Sequence, residues 1–325
     1  MRRREFIAAA SGIAAWPVAA HAQRPSIPLI GLISTNLSRE GALPFTAPFR
    51  EGLVQVSLVE GRNVAIEEFH EGNRPDRLAA IAGELARRPV SLIMALGTVA
   101  AQAAKAATTT VPIIFATGDD PIAVKLATSL NRPGGNLSGV AFVSAGVATK
   151  RLQLLHSLVP KAAVIGVLAD DSPESQNQAS GLRDAARSLG LQLTVSTVGE
   201  DEDIERAYEP LRQQQADAMI VASGPFLASR RDRVIALAAR HAIPVLYGFR
   251  TFAATGGLIS YGASFANSMQ QAGLYAGRVI RGDKVGDLPI MQPTKFELVI
   301  NLKTARTLGV EIPPTLLALA DEVIE

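Results

Sequence analysis

Leu130–Ser144 reads LNRPGGNLSGVAFVS, and the fold turns on what this stretch does. Asn131-Arg132-Pro133-Gly134-Gly135-Asn136 is turn chemistry, because proline fixes φ and adjacent glycines accept positive φ without steric cost. Leu137–Val143 then has the apolar character of a short strand. Alone, the segment is equally a surface turn followed by one more strand. The chain on either side repeats one strand–helix plan, which makes this stretch the first crossing between two lobes, a hinge where a few torsions let one lobe close on the other.

Upstream, Ile27–Ser34 is an apolar run fit for a buried strand, followed by a helix over Phe49–Leu58 and a strand over Val64–Phe69. Asn73-Arg74-Pro75 opens a helix through Arg88, with Leu78, Ile81, Ala82 and Leu85 at helical spacing. Ser91–Leu96, a helix Val99–Ala107, Pro112–Thr117 and a short helix from Asp120-Pro121 continue the alternation. Downstream, Val164–Leu168 echoes Leu29–Ile33, and Ser172-Pro173 opens a helix. Strands Leu191–Val198 and Ala218–Ser223, helices Asp203–Gln214 and Phe226–His241, and Ile243–Tyr247 follow in the same order. A third section holds strands Gly256–Gly262 and Lys295–Asn301, with helices Phe265–Arg281, Lys303–Leu308 and Thr315–Val323. The expected class is α/β, with two doubly wound parallel-sheet lobes joined by a hinge. Lobe 1 is expected over residues 23–141 plus about 252–286, and lobe 2 over 142–251 plus about 287–325.

The 325 residues are 48% hydrophobic and 19% charged, enough to bury two cores and to exclude disorder. The pI near 9.0 comes from the N-terminus. Of 32 basic and 30 acidic residues, Arg2, Arg3, Arg4 and Glu5 lie in residues 1–22, which leaves 29 of each sign. No nucleic acid or anionic membrane surface is implied as partner. Cysteine is absent, so thiol catalysis, disulfides and sulfur-ligated metals are excluded. MRRREFIAAASGIAAWPVAAHAQ has a basic start, an Ala-rich middle and an Ala20-His21-Ala22 cleavage signal. Arg3-Arg4-Glu5-Phe6-Ile7 looks like a twin-arginine export motif, with a general secretory signal as the alternative. The expectation is a cleaved signal over residues 1–22 and a periplasmic protein without a lipid anchor.

The sequence resembles the periplasmic substrate-binding proteins of ABC importers, in the branch described as tryptophan/tyrosine-type. The resemblance rests on RRREFI at the start, Pro133-Gly134-Gly135-Asn136-Leu137-Ser138-Gly139, Gly256–Gly262 (GGLISYG) and the tail Asp287–Glu325, the most specific match. It implies a type I-like two-lobe fold, a small solute such as an amino acid in the cleft, and delivery to an inner-membrane permease with its ATPase. It implies a monomer with neither cofactor nor metal. Family members often carry an acidic residue after the strand that here ends Ala222-Ser223-Gly224-Pro225, a departure on that side of the cleft. A ligand-sensing partner of a membrane receptor and a secreted α/β enzyme are the alternatives. No G-x-S-x-G, H-E-x-x-H or Walker lysine is present to support catalysis.

In parallel sheets, ligands bind beyond the carboxyl ends of the strands, where the N–H groups of following helices point outward. The candidates are Ser34, Thr35, Gly97, Thr98, Thr117, Asp119, Ser172, Ser223, Tyr247 and Tyr261. Gly97 admits close approach to the backbone. Thr98 is placed either to cap a helix or to hold a solute carboxylate, and Asp119 to hold an ammonium, since its neighbour Asp120 is a natural cap. Ser172 has the same cap-or-contact ambiguity. Tyr247 and Tyr261 are placed to stack on an apolar ligand or to lie in the core.

Overall fold

The computed structural model describes residues 27–35, 38–72, 74–142 and 147–325. The signal segment, Asn36, Asn73, Val143 and Ser144 lie outside the described residues. The first half runs β1 (Leu29–Ser34), α1 (Arg39–Gln55), β2 (Ala65–His70), α2 (Pro75–Arg87), β3 (Leu92–Leu96), α3 (Thr98–Ala107), β4 (Ile113–Thr117) and β5 (Leu137–Ala141). These strands form a sheet in the order β2-β1-β3-β4-β5, parallel throughout. Ile30 and Leu32 face a core shared with Phe49 and Leu53 of α1, while Ile33 faces Leu78, Leu85 and Ala101 from α2 and α3. A strand covered on both faces must be apolar almost continuously, which is why β1, β3 and β4 read as runs rather than alternations.

The second half runs α4 (Val147–Leu158), β6 (Val164–Asp170), α5 (Pro173–Leu189), β7 (Gln192–Val198), α6 (Asp203–Arg206) and α7 (Tyr208–Gln213). It continues through β8 (Ala218–Val221), α8 (Pro225–Ser229), α9 (Arg231–Arg240), β9 (Val245–Tyr247), α10 (Arg250–Ala254) and β10 (Ile259–Ala263). Then come α11 (Phe265–Ile280), β11 (Phe296–Asn301), α12 (Leu302–Leu308), α13 (Pro314–Leu319) and β12 (Glu322–Ile324). The second sheet has the order β12-β11-β10-β9-β8-β6-β7. All of it is parallel except the β10–β11 pairing, so β11 and β12 run against the rest. Two doubly wound α/β lobes are thus present.

Several elements differ from expectation, each for a local reason. Helix α1 begins ten residues early and contains Pro44 and Pro48. Ser38 caps it by accepting from Gly41 N–H at 3.1 Å, and packing of Phe45 and Phe49 outweighs the two lost backbone donors. Thr315–Val323 is not one helix, because Glu322–Ile324 pairs with β11 as an edge strand. Residues after Asp120 form turns rather than a helix.

Residues 252–286, expected with lobe 1, divide between the sheets. Short α10 returns the chain directly beside β9, so Ile259 pairs with Leu246 in the second sheet. Only from Phe265 does the chain rejoin the first. There α11 lies on α1, and Met291 N–H donates to Gly139 O at 2.9 Å beside β5. The Pro133-Gly134-Gly135 turn has the expected positive φ at both glycines, +71° and +61°. It sits at the entry of β5, where Gly134 N–H donates to Gly286 O at 3.3 Å, and so anchors this returning segment. The chain leaves the first sheet past Phe142, through residues outside the described set, and passes between sheets again at Ala263–Phe265 and between Met291 and Phe296.

The α1–α11 contact holds the returning segment in place, and it is a backbone contact. A Cβ on Gly273 would lie 2.2 Å from Phe49 O, and one on Gly52 would lie 2.0 Å from Gln270 O. Gly273→Ala must therefore separate the helices, and we expect a loss of roughly 1–3 kcal/mol. The urea midpoint should fall accordingly; an unchanged midpoint would show that the helices can part freely.

Candidate functional site

The carboxyl ends of the two sheets face each other across a cavity of about 300 Å³. From the first sheet come Thr35 after β1, Gly97 after β3, Gly118 after β4 and Phe142 after β5. From the second come Glu174 after β6, Ser223 after β8, Gly248 after β9 and Ala263 closing β10. Helix α5 contributes Glu174, Asn177, Gln178 and Gly181, a three–four spacing that sets them on one face. Helix α4 contributes Val147, Ala148 and Arg151.

Arg151 is the central charge. Its residue is 5% exposed, and burial pulls its pKa down to about 10, so it remains a cation at neutral pH. Nε donates to Tyr261 O at 2.8 Å and Nη1 to Gln178 Oε1 at 2.7 Å. Nη2 donates to Ser223 Oγ at 3.1 Å and Gly248 O at 3.3 Å. Those bonds occupy four of the guanidinium's five N–H groups and leave one on Nη1. Among the described residues, no carboxylate forms an ion pair with Arg151. Gln178 fixes this geometry: its Oε1 also accepts from Ser223 N–H at 3.0 Å, and its Nε2 donates to Ser223 O at 2.9 Å. Ser223 Oγ accepts from Arg151, so its own hydrogen is available to a solute.

On the opposite side the lobes clasp each other directly. Thr98 N–H, at the start of α3, donates to Glu174 Oε1 at 2.6 Å. Asn177 Nδ2 donates to Asp119 Oδ1 at 2.5 Å, and Thr98 Oγ1 donates to Asp119 Oδ2 at 2.7 Å. Burial raises the pKa of Glu174, opposed by the Thr98 N–H bond and reinforced by the nearby Asp119 charge. Gly97, at φ +102°, brings the α3 N-terminus close; a Cβ there would lie 2.2 Å from Thr35 Oγ1.

Of the residues expected at the site, Thr35, Gly97 and Ser223 line the cavity. Thr98, Thr117 and Asp119 form a buried hydroxyl–carboxylate cluster behind it, with Thr117 Oγ1 bonded to Thr98 Oγ1. Ser34 is fully buried away from the cavity. Ser172 caps α5, accepting from Ser175 N–H at 3.3 Å, and bonds the buried Asp170. Tyr247 belongs to the core on the far face of the second sheet, stacked on Phe252 at 4.7 Å, and burial drives its pKa well above the ordinary value. Tyr261 stacks on Phe296 at 6.0 Å and offers only its carbonyl, to Arg151. Strand alternation accounts for both tyrosines, since a residue inside a strand points its side chain to one face of the sheet, and theirs point into packed faces instead of the cleft.

The aromatic wall comes instead from Phe45, Phe142, Phe249 and Phe265. Phe265 stacks on Phe142 at 3.7 Å and meets Phe45 and Phe249 edge-on at 4.9 and 5.0 Å. Phe142 and Phe249 each follow a strand end, so the rule that selected Tyr247 reaches them when carried one or two residues further. Arg151 had only a weak sequence signal, a charge beside the apolar Leu152 and Leu155 of α4.

A two-lobed α/β scaffold with a partly aromatic cavity between facing strand ends is a solute-binding architecture. The chain belongs to the family of ABC transporter substrate binding proteins, whose model matches residues 32–324. It is similar to the tyrosine-binding protein of Clostridioides difficile, at 28% identity over 81% of this chain and 76% of that one. A Streptococcus pneumoniae ABC domain in complex with L-Trp aligns with a TM-score of 0.80, 25% identity, and coverage of 91% of this chain and 100% of that one. A conserved domain protein from Vibrio cholerae shares the fold at TM-score 0.83 and 23% identity, over 91% and 99% of the two chains. The family is one of substrate-binding proteins, not of enzymes. Among the described residues no helix is long and apolar enough to cross a membrane.

The lobe-to-lobe bond of Asn177 adds to closure without altering any charge. Asn177→Ala should weaken binding of any two chemically distinct solutes by a similar factor, roughly tenfold to a hundredfold, as for a lost bond to a charged group. Calorimetry measures it. A loss confined to one solute would place Asn177 against the solute instead.

Proposed function

We propose that this chain is the periplasmic solute-binding component of an ABC import system. It captures an amino acid or a closely related carboxylate between its lobes and delivers it to an inner-membrane permease and its ATPase. The observation that carries this reading is Arg151, a buried cation lining the cavity with no carboxylate paired to it among the described residues. A buried charge without a counter-ion costs several kcal/mol, and a solute carboxylate supplies the missing partner. Its receptors are the spare Nη1 N–H of Arg151 and the Ser223 hydroxyl. Family membership and the likeness to a tyrosine-binding protein and an L-Trp complex support the amino-acid class. Thr35, Gly97 and Ser223 serve as solute contacts, and Thr98, Thr117 and Asp119 support the closed arrangement. The protein acts as a monomer.

Screening the common L-amino acids by calorimetry tests the class, with affinities of micromolar order expected, roughly −8 kcal/mol. Arg151→Lys keeps the charge but loses the planar fork, and affinity should fall roughly tenfold to a hundredfold, the worth of a charge-assisted hydrogen bond. Unchanged affinity would remove the carboxylate from Arg151.

The location rests on Arg3-Arg4 and Ala20-His21-Ala22. N-terminal sequencing of periplasmic protein should begin at Gln23. Replacing Arg3 and Arg4 together by lysine should leave precursor in the cytoplasm, whereas full export would assign the general secretory route.

A further inference from the structure

Among the described residues the cavity has one further charged lining residue, Glu174, and the proposed function leaves it unused. Glu174 is 6% exposed, and its nearest charged neighbour, Asp119, is 1% exposed. They belong to different lobes, so closure brings two carboxylates together. Among the described residues neither is ion-paired. The α3 N-terminus offsets part of this charge through the Thr98 N–H and its dipole, but a single helix end carries only about half a positive charge. Asp119 is enclosed by Thr98 and Asn177 and does not reach the cavity; Glu174 does. The two lobes therefore present a cation, Arg151, and an anionic pair fronted by Glu174, on one cavity.

We propose that Glu174 is the specificity-determining residue that receives the solute's ammonium group, which acts as counter-ion to the carboxylates that lobe closure juxtaposes. This rests on the reading of the cavity as an amino-acid site and deepens it. Closure is then keyed to a zwitterion: the carboxylate satisfies Arg151 and the ammonium satisfies Glu174. A carboxylate lacking the amino group leaves the Glu174–Asp119 repulsion standing and binds weakly. Asp119 acts through Glu174 and the lobe contact, not by touching the solute.

The test compares probes identical except for the ammonium: L-phenylalanine with 3-phenylpropanoate, and L-leucine with 4-methylpentanoate. Wild type should prefer the amino acid of each pair by roughly thirtyfold or more, as expected for a charge-assisted bond. Glu174→Gln keeps an oxygen for the Thr98 N–H at nearly the same volume. It should cut the preference to about threefold or less, chiefly by weakening the amino acid. Circular dichroism and thermal unfolding verify the fold of the variant. Retention of the full preference by Glu174→Gln would overturn the proposal.

Equal, tight binding of both members to wild type would also overturn it, while leaving the carboxylate site at Arg151 intact. Failure of every probe and every common L-amino acid to bind would instead sink the amino-acid reading itself. Should the variant not fold, wild type decides. The titratable and charged groups facing Glu174 are Asp119, from beyond β4, and Arg151, from α4 across the cavity. Binding of 3-phenylpropanoate should then be accompanied by proton uptake on Glu174, whose carboxyl burial already pushes upward, read from calorimetric heats in buffers of different ionisation enthalpy. L-phenylalanine should take up none, and equal uptake by both probes would refute the ammonium contact.

Discussion

A guanidinium buried with no carboxylate among the described residues is the constraint on which the second lobe is arranged. Arg151 reaches from α4 to four acceptors that belong to separate pieces of chain: β10, α5, and the loops after β8 and β9. Neutral oxygens solvate it, but they leave its charge in place. An apolar residue of the same volume would relieve that cost, as it often does for buried ions. Holding a cation here has value only if something anionic completes it, and the position of Arg151 on the cavity wall defines where.

Helix α5 joins binding to closure. Its first turns carry Glu174 and Asn177, which reach the first lobe, and Gln178 and Gly181, which line the cavity. Because these residues share one helical face, the helix cannot shift to accommodate a solute without disturbing the lobe contact. In population terms, a solute favours the closed arrangement by as much as it binds that arrangement better than the open one. On the proposed reading, the contacts of Glu174 and Asn177 set the starting balance, and Arg151 and the phenylalanine wall set what tips it.

Much of this was legible in the sequence, and the limits have physical causes. Buried parallel strands are apolar along their length, so β1, β3, β4 and β6 announce themselves, and the rule of carboxyl ends points to the rim of each sheet that lines the cavity. Thr35, Gly97 and Ser223 follow from it directly. Phe45 was hidden because Pro44 and Pro48 argue against the helix that carries it, an argument that tertiary packing overrides. Tyr247 failed by a residue or two, since its neighbours past the strand end reach the cleft and it does not. Arg151 was hidden because nothing local marks a helical arginine as buried; that depends on Gln178, Ser223 and Gly248, which lie 27, 72 and 97 positions away.

The N-terminus of α3 shows where chemical reading and spatial reading part. Its preference for a carboxylate follows from the helix itself, from unpaired N–H groups and an aligned dipole. Local sequence can state that preference but not which carboxylate satisfies it. The fold supplies Glu174 from the other lobe, 76 positions away, and Asp119 is drawn into the same cluster by Thr98 and Asn177. The place expected for a solute carboxylate is thus taken by the protein's own Glu174, which on the proposed reading leaves the solute's carboxylate to Arg151. On the proposed reading, the solute's carboxylate moves from the expected Thr98 to Arg151 of the second lobe, while its ammonium stays at the seam beside Asp119, received by Glu174 instead.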